Sequence, residues 1–194
     1  MFGSVNDNYM WVPMLRLELI NNNPGSNNTY MCDIKSNVFN RLFVSFKVCI
    51  DGFIDISRYL IGVDACHFKS KYLGILLNGL YTITYAAAES EFKKSWEWFM
   101  RNLLDSFGCD VEHLAFIYDM EKDLSESIKL IFPNVEHKVY MRHMWKIFKK
   151  KLFCCENGNK LQNLVWRATN TYKLHDLHKK MEEIFKSVRK FTLT

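Results

Sequence analysis

Two short apolar runs in this sequence each lead into a single aspartate. The first, "LIGVDACHFKSKY" (60–72), contains Asp64, and the second, "LAFIYDMEKD" (114–123), contains Asp119. Runs of this length and composition are typical of buried strands. If the two strands are neighbours, their carboxylates meet at one end of a sheet, where a cation would offset their repulsion. Carboxylate oxygens favour Mg²⁺ or Mn²⁺, and such ions activate a water or a 3′-hydroxyl in phosphodiester chemistry.

Each aspartate also has an ordinary structural interpretation when it is considered alone. Asp64 could stabilise a turn in "ACHFKS", and Asp119 could be the N-cap of a helix that starts at Glu121, because aspartate is common in both places. The two interpretations differ in one respect: only a metal pair requires the two strands to be adjacent. The order of the surrounding elements therefore decides between them, and it favours the metal pair.

The elements around the aspartates follow the order β-β-β-α-β-α-β. Asn78-Gly79 separates two β-rich stretches and is the favoured two-residue hairpin turn, which predicts three antiparallel strands in succession. A helix over 91–107 has one apolar stripe and a C-terminal stop at Gly108. A right-handed crossover through this helix places the Asp119 strand parallel to the Asp64 strand. The sequence thus predicts an α/β protein with a mixed, ribonuclease-H-like sheet.

Three regions are predicted on this basis. Residues 1–57 form a helical N-terminal lead-in, since apolar residues recur there every three or four positions, at Phe39, Leu42, Phe43, Phe46, Cys49, Ile50 and Phe53. Residues 58–153 form the ribonuclease-H-like core, and residues 154–194 form a helical extension. A chain of 194 residues with 48% apolar content is long enough to bury a sizeable core.

Composition narrows the class of protein further. No run of about 18 apolar residues is present, and the start "MFGSVNDNYMW" lacks the pattern of a signal peptide. We therefore expect neither membrane insertion nor secretion. The six cysteines are scattered without a Cys-x-x-Cys pair, which favours reduced, packed thiols over a disulfide framework or a zinc site.

Charge is distributed unevenly along the chain. Residues 1–137 hold 12 Lys/Arg and 17 Asp/Glu, whereas residues 138–194 hold 14 Lys/Arg and 4 Asp/Glu. A basic segment of this size attracts nucleic acid by counterion release, although a solvated helix face gives the same count. The predicted DNA-contacting residues are Lys138, Arg142, His143, Lys146, Lys149 and Lys150.

Several segments together resemble one known family. These are "RLFVSFKVCIDGF", "LIGVDACHFKSKYLGILL", "YAAAESEFKKSWEWFMRNLL" and the block from "LAFIYDMEKD" to "FPNVEHKVYMRHMWKIFKKK". They are similar to the central domain of plant Mutator-like element transposases, which are DDE-type enzymes with a ribonuclease-H-like fold. The resemblance implies a nuclear protein that acts on transposon-end DNA with Mg²⁺ or Mn²⁺ and no small-molecule substrate. It assigns Asp64 and Asp119 as the first and second catalytic acids.

The chain departs from the family pattern at two sites. His143 matches the histidine of a Cys-x-x-His element, but Tyr140 stands at the cysteine position, so zinc is not expected there. The third acid of the family lies beyond a helical insertion, and this sequence reaches Thr194 within what resembles that insertion. Glu89 or Glu91, near the start of the 91–107 helix, could supply the missing carboxylate.

Three functions are consistent with these observations. The preferred one is a DNA-associated protein of transposase origin that is catalytically incomplete. The first alternative is an active Mg²⁺-dependent nuclease or transposase core completed by Glu89, Glu91 or a partner chain. The second alternative is a regulatory or protein-binding module without enzymatic activity. The oligomeric state is left open.

Overall fold

The chain forms two compact units, Met1–Tyr140 and Met141–Thr194. The computed structural model describes residues 9–33, 35–36, 38–56, 59–67, 75–79, 83–108, 113–151 and 158–192. Sheet and helices make up the first unit and helices the second, so the protein is α/β. The division after Tyr140 coincides with neither predicted boundary, at 57/58 or at 153/154.

The first unit alternates helices and strands. Its elements are α1 (Val12–Asn22), β1 (Asn27–Cys32), β2 (Phe39–Ser45), α2 (Lys47–Ile56), β3 (Leu60–His67), β4 (Ile75–Gly79), β5 (Thr84–Ala88), α3 (Lys93–Phe107), β6 (Ala115–Tyr118), α4 (Lys122–Ile131) and β7 (Glu136–Val139). From β3 to β7 the observed order is the predicted β-β-β-α-β-α-β.

The strands form one mixed sheet of seven, in the order β1-β2-β5-β4-β3-β6-β7. The pairs β3/β6 and β6/β7 are parallel, and the other neighbouring pairs are antiparallel. The predicted parallel pairing of the two aspartate-bearing strands is confirmed. This arrangement sets the carboxyl ends of β3, β6 and β7 at one edge of the sheet.

Helices α2, α3 and α4 contribute to the core together with one face of the sheet. Side chains of a strand alternate between its two faces, and the core-facing set includes Ile61 and Val63 of β3 and Phe116 and Tyr118 of β6, all of them buried. The amphipathic stripe of α3 covers this face, as its spacing predicts, through Trp96, Phe99, Met100, Leu103 and Phe107. The helix ends where Gly108 adopts a left-handed conformation (φ +61°).

The prediction of a helical lead-in over 1–57 is wrong. Residues Phe39–Ser45 form strand β2, which pairs with β1 on one side and β5 on the other. A short apolar run fits a helix or a strand equally well by spacing alone, and here pairing on both sides decides for the strand. The later part of the same run does form a helix, α2, which buries Ile50 and Phe53.

The predicted turn at Asn78-Gly79 is also wrong. Both residues belong to β4, where Asn78 pairs with Asp64 on one side and with Tyr85 on the other. This register moves the β4–β5 connection toward β5, to residues 80–83, of which 80–82 lie outside the described part. Turn propensity is outweighed because Asn78 is paired on both edges of β4 and Gly79 is paired with Val63 of β3.

The second unit is helical, as predicted for the C-terminal part of the chain. It contains α5 (Met141–Lys151), α6 (Gly158–Thr169) and α7 (Leu174–Thr192). Helices α6 and α7 form a hairpin, and Lys180 Nζ on α7 donates a hydrogen bond to Arg167 O at the end of α6 (2.9 Å). None of the helices in the described ranges has the combined length and apolarity needed to cross a bilayer.

Candidate metal site at the ends of three parallel strands

The sheet register aligns three polar residues on neighbouring parallel strands. Val63 of β3 is level with Tyr118 of β6, and Tyr118 is level with Val139 of β7. The next residues along these strands are Asp64, Asp119 and Tyr140. Tyr140 N donates to Tyr118 O at 3.0 Å, which extends the β6/β7 ladder to this point. We call Asp64, Asp119 and Tyr140 the acidic row.

Strand alternation directs the acidic row to the face of the sheet opposite the core. Val63 and Tyr118 are buried in the core, whereas Asp64 is exposed and Asp119 half-buried. Burial raises the pKa of Tyr140, and the negative charges of Asp64 and then Asp119 raise that pKa further. The Tyr140 hydroxyl therefore lies within electrostatic range of both carboxylates, as the register requires.

Asp64 has no role in a turn. It lies inside β3, three residues before the strand ends at His67, and its Oδ1 accepts a hydrogen bond from the amide of Ala65 (2.9 Å). The expectation that the strand stops at Asp64 is wrong, because pairing with β4 continues through Ala65, Cys66 and His67. Because Asp64 is paired with Asn78 within the β3/β4 pairing, it does not stabilise a turn there.

Asp119 is not the N-cap of α4. The cap is Glu121, whose carboxylate accepts hydrogen bonds from the amides of Asp123 (2.9 Å) and Leu124 (2.5 Å). Asp119 Oδ1 accepts from the amide of Glu121 at 3.2 Å, so it supports the turn that leads into the cap. Glu121 is thus the capping residue, whereas the sequence predicts it as the first residue of the helix.

Neither Glu89 nor Glu91 is grouped with the aspartates as a metal-binding set. Glu89 follows β5 and pairs with Arg41, whose Nε lies 2.8 Å from Glu89 Oε2. Burial raises the pKa of Glu89, but the hydrogen bonds and charge of Arg41, with a backbone hydrogen bond, lower it by more. Across the described residues, no three or more His, Cys, Asp or Glu side chains cluster as a metal would require.

The donor atoms of the acidic row suit a hard cation. Two carboxylates and a phenol provide oxygen only, which is the donor type that Mg²⁺ and Mn²⁺ take and that zinc takes less readily than sulfur and imidazole. The repulsion between two neighbouring carboxylates favours a positive charge beside them. Asp64 and Asp119 would hold such an ion, which when bound would polarise a phosphate oxygen.

The six predicted DNA-contacting residues are divided between the two units. Lys138 lies on β7 in the first unit and forms an ion pair with Glu136 (2.8 Å). The other five lie on α5 in the second unit, where Arg142, Lys146 and Lys149 are exposed and His143 is half-buried. Lys150 is on the same helix, and its side chain lies outside the described part.

Tyr140 is a member of the row that sequence reasoning does not identify as such. The family resemblance marks this position only as one where a cysteine is expected, yet "HKVY" ends in the same way as "LIGVD" and "AFIYD", with a polar group directly after an extended run. This shared pattern of a polar residue after an extended run is the sequence signal that could have identified Tyr140. It is weak because β7 exposes Glu136, His137 and Lys138 and so lacks the apolar character of β3 and β6.

No protein-family model and no curated protein matches this chain. Among solved structures, it is similar to a chain in the cryo-EM structure of the simian T-cell lymphotropic virus intasome in complex with PP2A regulatory subunit B56 gamma. The TM-score is 0.35 and the identity 14%, over 63% of this chain and 46% of that one. The chain thus spans less than half the length of this neighbour. A similarity of this size carries no argument about function.

Proposed function

We propose that this chain is a ribonuclease-H-like, DNA-associated nuclear protein of Mutator-like transposase origin that binds Mg²⁺ or Mn²⁺ through Asp64 and Asp119. We propose further that it does not complete DNA cleavage on its own. The observation that carries the proposal is the adjacency of the two aspartates on parallel strands, Asp64 within β3 and Asp119 directly after β6, on the sheet face opposite the core.

The strand order supports the fold part of the proposal. Five neighbouring strands follow the order β5-β4-β3-β6-β7. Of these five, β4 runs in one direction and the other four run in the opposite direction. Three consecutive strands, a helix, a strand parallel to the first, a second helix and a further parallel strand make up the predicted ribonuclease-H-like order. Strands β1 and β2 extend the sheet beyond β5.

The contacts of the aspartates support the metal-binding part. Neither residue caps a helix, and Asp64 is paired inside a strand, so capping accounts for neither aspartate and a turn contact accounts only for Asp119. Placing two carboxylates side by side costs electrostatic energy. A cation that bridges them would offset this cost and would concentrate a phosphodiester at the same place.

The contacts of Glu89 support the proposal that this chain does not complete DNA cleavage on its own. Its carboxylate is occupied by Arg41, which also donates from Nη1 to Lys94 O (3.1 Å) and stacks on Trp98 with 5.6 Å from Cζ to the ring centre. Drawing Glu89 toward the aspartates would require these interactions to be broken. The two aspartates would then bind a cation and the DNA backbone without a third carboxylate from the described residues to position the attacking water.

The proposal is tested with Asp64→Asn and Asp119→Asn. Each variant removes one negative charge with little change of shape, and we expect each to weaken Mn²⁺ binding at least tenfold in isothermal titration calorimetry. Asp105→Asn, which changes an exposed acid on α3, is the matched control and should bind Mn²⁺ as the wild type does. Equal Mn²⁺ affinity in all four proteins would contradict the proposal.

DNA assays separate the three candidate functions. The proposal predicts salt-dependent duplex binding by the wild type and no nicking of supercoiled plasmid in Mn²⁺. Mn²⁺-dependent nicking that disappears in Asp64→Asn would instead support the active nuclease. Metal binding without any affinity for DNA would support the regulatory or protein-binding module.

A further inference from the structure

The acidic row has a third member with a different chemistry. Tyr140 stands where a further strand-end carboxylate would lie, and it is fixed there by the hydrogen bond from its amide to Tyr118 O (3.0 Å). Tyr118 is in turn held in the core, where its hydroxyl lies 3.0 Å from His137 Nδ1 and 3.2 Å from Ser125 Oγ. The backbone of Tyr140 is therefore anchored to Tyr118, a buried residue of β6.

The register and the alternation of side chains along a strand place Tyr140 on the same face of the sheet as Asp64 and Asp119, next to Asp119. The residue is half-buried. A tyrosine phenol keeps its proton at neutral pH, and burial, followed by the charges of Asp64 and Asp119, acts in the same direction by raising its pKa. It is a hydrogen-bond donor that adds no negative charge to the pair.

A cation held by two carboxylates needs further oxygen ligands. Mg²⁺ is octahedral and usually retains several of its waters when it is bound by one or two carboxylates. Those waters are oriented by hydrogen bonds to groups just outside the coordination sphere, and such groups commonly change metal affinity by about 10- to 100-fold when they are removed. A half-buried phenol beside the carboxylates has the required position and chemistry.

We propose that Tyr140 is a positioning residue of the divalent-cation site, its hydroxyl hydrogen-bonding a water ligand of the ion held by Asp64 and Asp119. The inference rests on the proposed metal binding and adds to it a residue that is not an acid. It explains how a site with two carboxylates in the described residues orders the remaining ligands of the ion. A tyrosine at position 140 can therefore serve the metal site, although the family resemblance places a cysteine there.

The test compares Tyr140→Phe with Tyr30→Phe. Both variants remove one hydroxyl from a half-buried ring in the sheet, but Tyr30 lies on the distant edge strand β1. We expect Tyr140→Phe to weaken Mn²⁺ binding about tenfold or more in calorimetry and Tyr30→Phe to leave it unchanged. The thermal unfolding midpoint measured without metal should be nearly the same for wild type and Tyr140→Phe.

A spectroscopic measurement provides a second readout on the wild-type protein. Addition of Mn²⁺ should perturb the ultraviolet difference spectrum of a tyrosine, and Tyr140→Phe should lack that perturbation. Wild-type affinity in Tyr140→Phe, together with loss of binding in Asp64→Asn, would overturn the role of Tyr140 and leave the metal site standing. Absence of Mn²⁺ binding by the wild type would overturn both.

Discussion

At the scale of single residues, Arg41 shows how this protein uses its charged groups. Its side chain is only 13% exposed and makes three contacts: with Glu89 after β5, and with the Lys94 carbonyl and the Trp98 ring of α3. A guanidinium that is largely removed from water requires such partners. Arg41 therefore fastens β2 to the β5–α3 connection, and Glu89 serves this contact.

The Arg41–Glu89 pair predicts a pH-dependent contribution to stability. The folded-state pKa of Glu89 lies below its ordinary value of 4.5, so the stabilisation is complete above that value and is lost as the pH falls through the lower folded-state pKa. Because the Glu89 side chain is 47% exposed, we expect Glu89→Gln to cost only about 0.5–1 kcal/mol at pH 7. Urea denaturation should show the two proteins converging toward pH 3, and a difference that grows in acid would contradict this role.

At the scale of elements, the start of α4 contains two acids, Glu121, which caps the helix, and Asp119, which we propose as a metal ligand. Glu121 caps the helix through two backbone amides, whereas Asp119, two residues earlier, makes a longer hydrogen bond to the amide of Glu121. The local sequence "YDMEKD" does not distinguish these roles, because both residues are acids that precede a helix. Only the position of Asp119 beside Asp64 does so.

This division of roles predicts opposite effects of two substitutions. Glu121→Ala removes the cap of α4 and should lower the free energy of unfolding by about 1 kcal/mol, with Mn²⁺ affinity largely retained. Asp119→Asn keeps an oxygen that can accept from the Glu121 amide and relieves charge repulsion, so the metal-free protein should be no less stable than the wild type. Chemical denaturation with and without Mn²⁺ measures both. A larger loss of metal-free stability in Asp119→Asn than in Glu121→Ala would identify Asp119 as the structural residue.

At the scale of the whole molecule, the sequence predicts the central sheet better than its edge. The aspartate-bearing strands β3 and β6 are identifiable because each is an apolar run with a sharp polar end, and α3 because its apolar stripe is long. Strand β2 is missed because the spacing of Phe39, Leu42 and Phe43 also fits a helix, and partners distant in the chain decide such cases. The acidic row depends on the β3/β6 and β6/β7 registers, which only the pairing of these three strands defines.

The uneven charge of the chain predicts which part of it would contact DNA if the proposed function is correct. Exposed Lys146 and Lys149 lie three residues apart on α5, on one side of a helix, and phosphate contacts by such residues give affinity without sequence discrimination. If each lysine neutralises one phosphate, the double variant Lys146→Gln/Lys149→Gln should bind duplex DNA more weakly. It should also reduce the slope of log K against log salt concentration by about 0.9 for each phosphate that is no longer neutralised.

Two lysines of the first unit provide the matched control for this experiment. Lys94 on α3 and Lys122 on α4 are also exposed, so Lys94→Gln/Lys122→Gln removes the same net charge from the more acidic part of the chain. Fluorescence anisotropy with a labelled duplex at several salt concentrations compares the three proteins. Equal decreases of affinity in the two double variants would mean that net charge alone sets the affinity, whereas a decrease confined to the α5 variant assigns the DNA-binding surface to that helix.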